Sequence, residues 1–202
     1  EELPYYHWKF MCINNGYHSL IYDQIKEICK LYSVDGFWFD IYQVHRKCYC
    51  ENCIKSMGEE NININIENDV EAFNAKIMRR HCKEIKDLIG SFLPSANVFF
   101  NGTTATDLGS NFRHEMYINN TAQDLEHLPT TWGGYDKISL QSKFFLGLGY
   151  EITAMSGKFH TDWGEFGGFK NPDAIKFEAA SMIAHGANCN FGDQLHPSGR
   201  ID

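Results

Sequence analysis

Three cysteines lie within six residues of one another, at Cys48, Cys50 and Cys53. Zn²⁺ favours thiolate ligands in tetrahedral sites, so three clustered thiols and one further ligand could hold an ion. Cys12 is our first choice for the fourth ligand because it precedes a predicted helix that leads back towards this region, and His45 is the alternative. Free cysteines, or one local disulfide, would explain the cluster without a metal. Four protein ligands leave no place for water, which predicts a structural ion.

Asp40 is an acidic residue within an apolar, aromatic run, residues 34–42. An unpaired carboxylate at the end of a buried strand is costly unless it pairs, accepts hydrogen bonds or takes part in chemistry. A helix N-cap or an ion pair with Arg46 would be an ordinary structural role. Glycoside hydrolysis instead requires two carboxylates, about 5 Å apart for retention and farther apart for inversion. Three residues are open as the second carboxylate: Glu126, Glu165 and Asp193.

Two histidines and a tryptophan lie in segments that follow predicted strands. His160 and Trp163 occur within residues 159–168, and His196 follows the last predicted strand. Imidazoles donate and accept hydrogen bonds and indole rings stack on sugar faces, so these residues suit a polyhydroxylated ligand. Most histidines and aromatic residues are structural, and that alternative stays open for each.

The chain alternates between helical and strand patterns. Apolar residues repeat at helical spacing in residues 16–32, 67–93, 139–148 and 172–185. Short apolar runs predict strands, the first buried on both faces, at residues 34–42, 96–102, 123–128, 152–156 and 187–191, with a weaker stretch at 115–118 joined to the third. Alternation with long connections predicts a parallel α/β sheet.

Polar residues lie at or just beyond the carboxyl ends of these strands: Asp40, Asn101, Glu126, His160 and Asp193. Active sites of (β/α)8 barrels lie at that face. Open, doubly wound sheets bind ligands at the same ends, so the placement favours an enzyme more than it favours a closed barrel. Five strands do not close an eight-stranded barrel, which leaves a partial barrel or an open sheet.

The composition excludes several classes of protein. The chain has 202 residues, 43% of them hydrophobic, which predicts one domain over residues 1–202. A net charge of −8 argues against nucleic acid as a partner. We expect no membrane association and no signal peptide, because no apolar run approaches about 18 residues and the first residues lack the basic and apolar regions of a leader. Seven cysteines, an odd number, favour a reducing, cytoplasmic location.

The motifs together resemble the hypothetical glycosyl hydrolase 6 family, which is related to the alpha-L-fucosidases of glycoside hydrolase family 29. The resemblance is carried by residues 34–40, 48–53, 99–102, 125–129, 132–135, 159–168 and 192–197. It implies a retaining (β/α)8 TIM-barrel glycoside hydrolase, of which this chain carries about strands 4 to 8 and lacks strands 1 to 3. It also implies that Asp40 is the nucleophile and matches Glu126 to the acid/base, although His127 stands where relatives have a small residue.

The cysteine cluster is similar to the zinc site of family 42 beta-galactosidases. A cysteine shortly before the strand-4 helix supplies the fourth thiolate there, which matches Cys12. Those enzymes use two glutamates, whereas this chain has Asp40 at strand 4. The second resemblance therefore implies the zinc-bearing scaffold and not that mechanism.

The predicted function is cleavage of a terminal sugar by an alpha-L-fucosidase-like glycosidase with a structural zinc and no catalytic cofactor. Asp40 and Glu126 are the predicted catalytic pair. Residues predicted to hold the carbohydrate substrate are Asn101, His160, Trp163, Glu165, Asp193 and His196. One alternative is a noncatalytic carbohydrate-binding or scaffold module, and another is a metal-dependent hydrolase with an open ligand position. Assembly into a homo-oligomer is left open.

Overall fold

The computed structural model describes residues 10–42, 47–104, 116–165 and 167–201. The chain divides into two compact units, Glu1–Asn120 and Thr121–Asp202, and each is described by itself. The predictions at His45, Arg46 and Phe166 lie outside the described residues.

The first unit contains a pair of parallel strands, β1 (Gly36–Phe39) and β2 (Asn97–Phe100). Helix α1 (Tyr17–Leu31) precedes β1, and helices α2 (Glu51–Glu59) and α3 (Glu67–Phe92) connect the two strands. Parallel neighbours need such a crossover, since a tight turn would reverse the chain direction. A 3₁₀ helix, Met116–Asn119, follows β2.

Apolar side chains form two buried clusters in this unit. The first lies between α1, α3 and β2, and its members include Ile25, Ile85, Ile89, Val98 and Phe100. The second joins α2 to the first half of α3 and contains Cys53, Met57, Val70, Phe73 and Ile77. The second cluster therefore places α2, with its cysteine, against a fixed surface of α3.

The second unit is a three-stranded parallel sheet in the order β3 (Gln123–Glu126), β4 (Ile152–Gly157) and β5 (Asn188–Gly192). Helix α4 (Lys137–Gly147) connects β3 to β4, and helix α5 (Pro172–Ala184) connects β4 to β5. The Asn171 side chain accepts a hydrogen bond from the Asp173 amide at the start of α5, and proline occupies the first turn, where no amide donor is lost.

The structure confirms a parallel α/β arrangement, and a strand is present at each of the five predicted positions. Two details of the prediction are wrong, and one helix was missed. Helix α2 was not predicted, residues 116–118 belong to a 3₁₀ helix, and β1 is not buried on both faces, because Trp38 is 45% exposed. Closure into a barrel and a single domain stay predictions. None of the helices in the described ranges is long and apolar enough to cross a membrane.

Candidate functional site

Asp40 and Asn101 meet at the carboxyl edge of the β1–β2 sheet, by which we mean the end where its strands finish. Asp40 follows β1 directly, Asn101 follows β2 directly, and the two strands pair in register from Gly36↔Asn97 to Phe39↔Phe100. The Asn101 side-chain amide and the Ile41 backbone amide each donate to Asp40 Oδ1, at 2.9 Å in both cases. Asp40 is exposed, whereas Asn101 is 5% exposed. A buried amide thus orients an exposed carboxylate.

The turn that follows Asp40 has a strained backbone. Ile41 has a φ of 58°, in the left-handed region that a β-branched residue rarely occupies. Backbone hydrogen bonds on each side hold the turn: the Asn101 amide donates to the Phe39 carbonyl at 2.7 Å, and the Tyr42 amide donates to the Asn101 carbonyl at 2.9 Å. Such strain persists only where the surrounding structure enforces it, and it is common at functional sites.

The four predicted cysteine ligands, Cys12, Cys48, Cys50 and Cys53, converge. Their sulfur atoms all lie within 4.8 Å of one another, and Cys12 Sγ is 3.5 Å from both Cys53 Sγ and Cys50 Sγ. All four are free, so the alternative of a local disulfide is wrong. Sulfurs bound at about 2.3 Å to a tetrahedral Zn²⁺ lie about 3.8 Å apart. The cluster therefore has the dimensions to hold a metal ion.

Asn14 places two hydrogen-bond donors beside the cysteine sulfurs, a role that was not predicted from the sequence. Its backbone amide donates to Cys12 Sγ at 3.3 Å, and its side-chain amide lies 3.8 Å from Cys53 Sγ and donates to Ser56 Oγ at 3.1 Å. Such donors orient metal-bound sulfur. Burial raises the pKa of Cys12 to about 11 and the pKa of Cys53 further, so a bound cation would stabilise the thiolates that burial disfavours.

Glu126 ends β3 and lies beside a lysine that the sequence analysis missed. Lys137 Nζ donates to the Glu126 backbone carbonyl at 2.7 Å and lies 4.8 Å from the centre of the Trp132 ring. Burial lowers the pKa of Lys137, and the Glu126 charge opposes that shift. Burial also lowers the pKa of His127 to about 4, so this imidazole is neutral at pH 7.

Trp163 packs against two glycines at the carboxyl edge of the β4–β5 pair. Gly157 and Gly192 are partners in the β4–β5 register. A Cβ atom added at Gly157 would lie 2.7 Å from the Trp163 indole, and one added at Gly192 would lie 2.1 Å from it. Neither distance is sterically allowed, so the indole occupies the space that a side chain would fill. Phe159 packs edge-on against the ring at a centroid distance of 5.8 Å.

The loop between β4 and α5 is closed at its base by two ion pairs. Lys158 Nζ lies 2.6 Å from Asp193 Oδ1, and Lys170 Nζ lies 2.8 Å from Glu178 Oε2. The loop strands also pair, with Lys170 N donating to Lys158 O at 2.7 Å and a bridge between Phe159 and Phe169. The loop that contains His160, Trp163 and Glu165 is therefore anchored to both β5 and α5.

Two of the candidate carboxylates have depressed pKa values. The hydrogen bond from Lys158 lowers the pKa of Asp193, and hydrogen bonds from Thr161 lower the pKa of Glu165. The Thr161 amide donates to Glu165 Oε2 at 2.6 Å. Both groups are therefore ionised at neutral pH and suit hydrogen-bond acceptance better than proton donation.

The two predicted ligand histidines are exposed. The His160 carbonyl accepts hydrogen bonds from the hydroxyls of Thr130 and Thr131, and His196 Nδ1 lies 2.9 Å from Ser198 Oγ. Asp40 and Asn101 belong to the first unit, whereas Glu126, His160, Trp163, Glu165, Asp193 and His196 belong to the second. A shared site for these residues stays a prediction.

A solved structure resembles the chain over its whole length. It is the alpha-L-fucosidase isoenzyme 2 from Paenibacillus thiaminolyticus, which is 34% identical with a TM-score of 0.87, and the match covers 100% of this chain and 31% of that chain. This likeness supports a relation to the fucosidases. No protein-family model and no curated protein matches the sequence.

The likeness supports the first resemblance in its coarser form. The chain spans about a third of the length of the fucosidase that it matches.

Proposed function

We propose that the protein is a retaining glycoside hydrolase of the alpha-L-fucosidase type that removes a terminal sugar. The observation that carries the proposal is the Asp40 carboxylate, which accepts a hydrogen bond from the Asn101 side-chain amide at the carboxyl edge of a parallel sheet. The likeness of the whole chain to an alpha-L-fucosidase supports the assignment of the reaction. Barrel enzymes keep their catalytic groups at this end of the strands, and the chain would supply about strands 4 to 8 of such a barrel.

In the proposed reaction, an Asp40 oxygen attacks the anomeric carbon while Glu126 gives its proton to the departing glycosidic oxygen, which leaves as an alcohol. Glu126 then takes a proton from water, and the water oxygen displaces Asp40 from the anomeric carbon. Two displacements retain the configuration. Glu126 suits the acid better than Glu165 or Asp193 does, because hydrogen bonds lower the pKa of both those carboxyls.

The proposed sugar contacts are the substrate-binding residues predicted from the sequence. The side chain of Trp163 offers an apolar ring for stacking, and its indole nitrogen has no hydrogen-bond partner among the described residues. Hydrogen-bonding groups for the sugar hydroxyls would be Asn101, His160, Glu165, Asp193 and His196. Asp193 and Glu165, both ionised at neutral pH, would accept hydrogen bonds from those hydroxyls.

A structural zinc on the four cysteines is part of the proposal. Four thiolates complete a tetrahedral shell and leave no position for water, so the ion would hold Cys12 against α2 rather than take part in the reaction. X-ray absorption on the purified protein should give four sulfur neighbours at about 2.3 Å. A shell with an oxygen neighbour would favour the metal-dependent hydrolase instead.

The Asp40→Asn variant tests the assignment of the nucleophile. We expect hydrolysis of an aryl alpha-L-fucoside to fall by at least about 10³-fold, since the loss of a covalent nucleophile has effects of that order. Asp87→Asn, which alters an exposed carboxylate paired with Lys83 on α3, should retain activity. Wild-type turnover by Asp40→Asn would refute the role of Asp40. Sugar binding by the wild type without turnover on a panel of aryl glycosides would favour the noncatalytic module.

A further inference from the structure

His81, on α3, is a buried histidine that contacts two tyrosine rings. It is 3% exposed, and its ring stacks with Tyr22 from α1 at 5.6 Å and with Tyr42, which follows β1, at 5.9 Å. Tyr22 Oη lies 3.2 Å from His81 Nδ1, and Tyr42 Oη makes a longer contact of 3.5 Å with His81 Nε2. Both ring nitrogens therefore face a hydroxyl.

The carboxylate of Glu84 determines the direction of these hydrogen bonds. Tyr22 Oη lies 2.6 Å from Glu84 Oε2, and a carboxylate only accepts, so the single hydroxyl proton of Tyr22 is donated to Glu84. The Tyr22 oxygen must then accept from His81 Nδ1–H. Burial lowers the pKa of His81 to about 4, so the ring is neutral at pH 7 and carries one proton. Nε2 is consequently an acceptor, and the Tyr42 hydroxyl donates to it.

Tyr42 connects this arrangement to Asp40. Its ring packs against Phe39 at 5.6 Å and against Phe100 at 5.1 Å, the last residues of β1 and β2. Its backbone amide donates to the Asn101 carbonyl. Between Asp40 and Tyr42 stands only Ile41 with its left-handed φ, so the position of Tyr42 limits the conformations open to the Asp40 backbone.

We propose that His81 is a positioning residue. As the Nδ1–H tautomer, its Nε2 atom accepts a hydrogen bond from the Tyr42 hydroxyl. This hydrogen bond holds the turn in which the Asn101 side chain donates to the Asp40 carboxylate. The catalytic consequence rests on the proposed role of Asp40 as nucleophile. The structural arrangement itself does not depend on that role, so the two can be tested separately.

Nuclear magnetic resonance tests the arrangement without an activity assay. In protein labelled with ¹⁵N-histidine, the His81 ring should carry its proton on Nδ1 at pH 7, and a proton on Nε2 would overturn the proposal. The side-chain amide signal of Asn101 reports the hydrogen bond to Asp40. It should stay near its wild-type position in His81→Gln and shift in His81→Asn.

The two variants differ in which half of the imidazole they replace. The Gln amide reaches the position of Nε2 and can still accept from Tyr42, whereas the shorter Asn amide replaces only Nδ1. If His81 merely fills space, both variants should behave alike. An Asn101 signal that moves equally in both, or in neither, would overturn the proposal.

Kinetics then test the catalytic consequence. Tyr42→Phe and His81→Asn should lower kcat about tenfold, the rate equivalent of one hydrogen bond, with little change in KM. His81→Gln should recover most of that loss, and Tyr32→Phe, which alters a tyrosine that is 61% exposed, should match the wild type. Equal kcat values in all four variants would refute the positioning role if Asp40→Asn is inactive. If Asp40→Asn is active, the proposed function fails and the resonance experiment still decides the arrangement.

Discussion

The buried ion pair between Lys170 and Glu178 should be one of the larger determinants of stability in the second unit. The two side chains are 0% and 1% exposed, and Ser156 Oγ donates to Glu178 at 2.6 Å and accepts from Lys170 at 2.9 Å. Removing one partner leaves a buried charge without its counterion, which costs about 3 to 5 kcal/mol. For a chain of this size that corresponds to a fall in Tm of roughly 6 to 20 °C.

A double-mutant cycle measures the effect. Lys170→Met and Glu178→Met should each lower the free energy of unfolding in urea by about 3 to 5 kcal/mol. The double variant should lie within about 2 kcal/mol of the wild type, because apolar residues of similar volume can replace a buried pair at little cost. The coupling energy would then be at least about 4 kcal/mol.

An exposed ion pair within α5 is a matched control. Lys176 lies 3.1 Å from Asp173, but those side chains are 77% and 85% exposed. Lys176→Met should therefore cost less than about 1 kcal/mol. The reasoning would be refuted if Lys170→Met cost no more than Lys176→Met, or if the double variant lost the sum of the two single losses.

Two further predictions concern the metal and one carboxylate. Cys53→Ser should lower the metal content and the Tm of the protein, whereas Cys189→Ser, which alters an exposed thiol, should change neither; equal metal content by elemental analysis would contradict the proposed ligand set. Lys158→Met should raise the pKa of Asp193 towards that of an ordinary aspartate, because the donor that lowers it most is removed. A carboxyl group whose pKa is lower in the folded than in the unfolded protein stabilises the fold at pH values above its unfolded pKa, and this contribution disappears as the pH falls below about 4. The variant should lack that contribution at neutral pH. A ¹³C carboxyl titration with no change in that pKa would count against the assignment.

Local sequence patterns predicted the five strands and every α-helix except α2. Helix α5 could be predicted because Pro172, Asp173 and Gly186 mark its ends, and these signals act within one or two turns. The positions of Asp40 and Asn101 after β1 and β2 followed from short apolar runs that end in polar residues. The periodicity of a segment is local information, so the sequence carries it directly.

Features that depend on tertiary contacts could not be predicted. Helix α2 has nine residues, of which only Cys53 and Met57 are buried. Two apolar positions are too few to show a helical period, so the sequence pattern does not distinguish this helix from a loop. Lys170 and Glu178 are of residue types that usually lie on the surface, and only the tertiary fold buries them. His81 lies 59 residues from Tyr22, so no spacing rule connects the pair.

The convergence of the cysteines was predictable for a different reason. Cys48, Cys50 and Cys53 are near one another in the sequence, and the tetrahedral geometry of a metal then limits the choice of a fourth ligand. Asn14 escaped prediction because an asparagine beside a cysteine has no characteristic spacing. The chemistry of the ligands was thus readable, whereas the donors around them were not.

The glycine pair beneath the Trp163 indole restricts how this edge of the sheet can change in evolution or by engineering. Neither Gly157 nor Gly192 has a φ in the left-handed region, so aromatic rings and not the backbone exclude larger residues there: Trp163 at Gly192, and Trp163 together with Phe159 at Gly157. An alanine at either position becomes acceptable only once residue 163 is smaller. Single substitutions along that route pass through a sterically blocked intermediate unless residue 163 changes first, so the order of mutations matters as much as their identity.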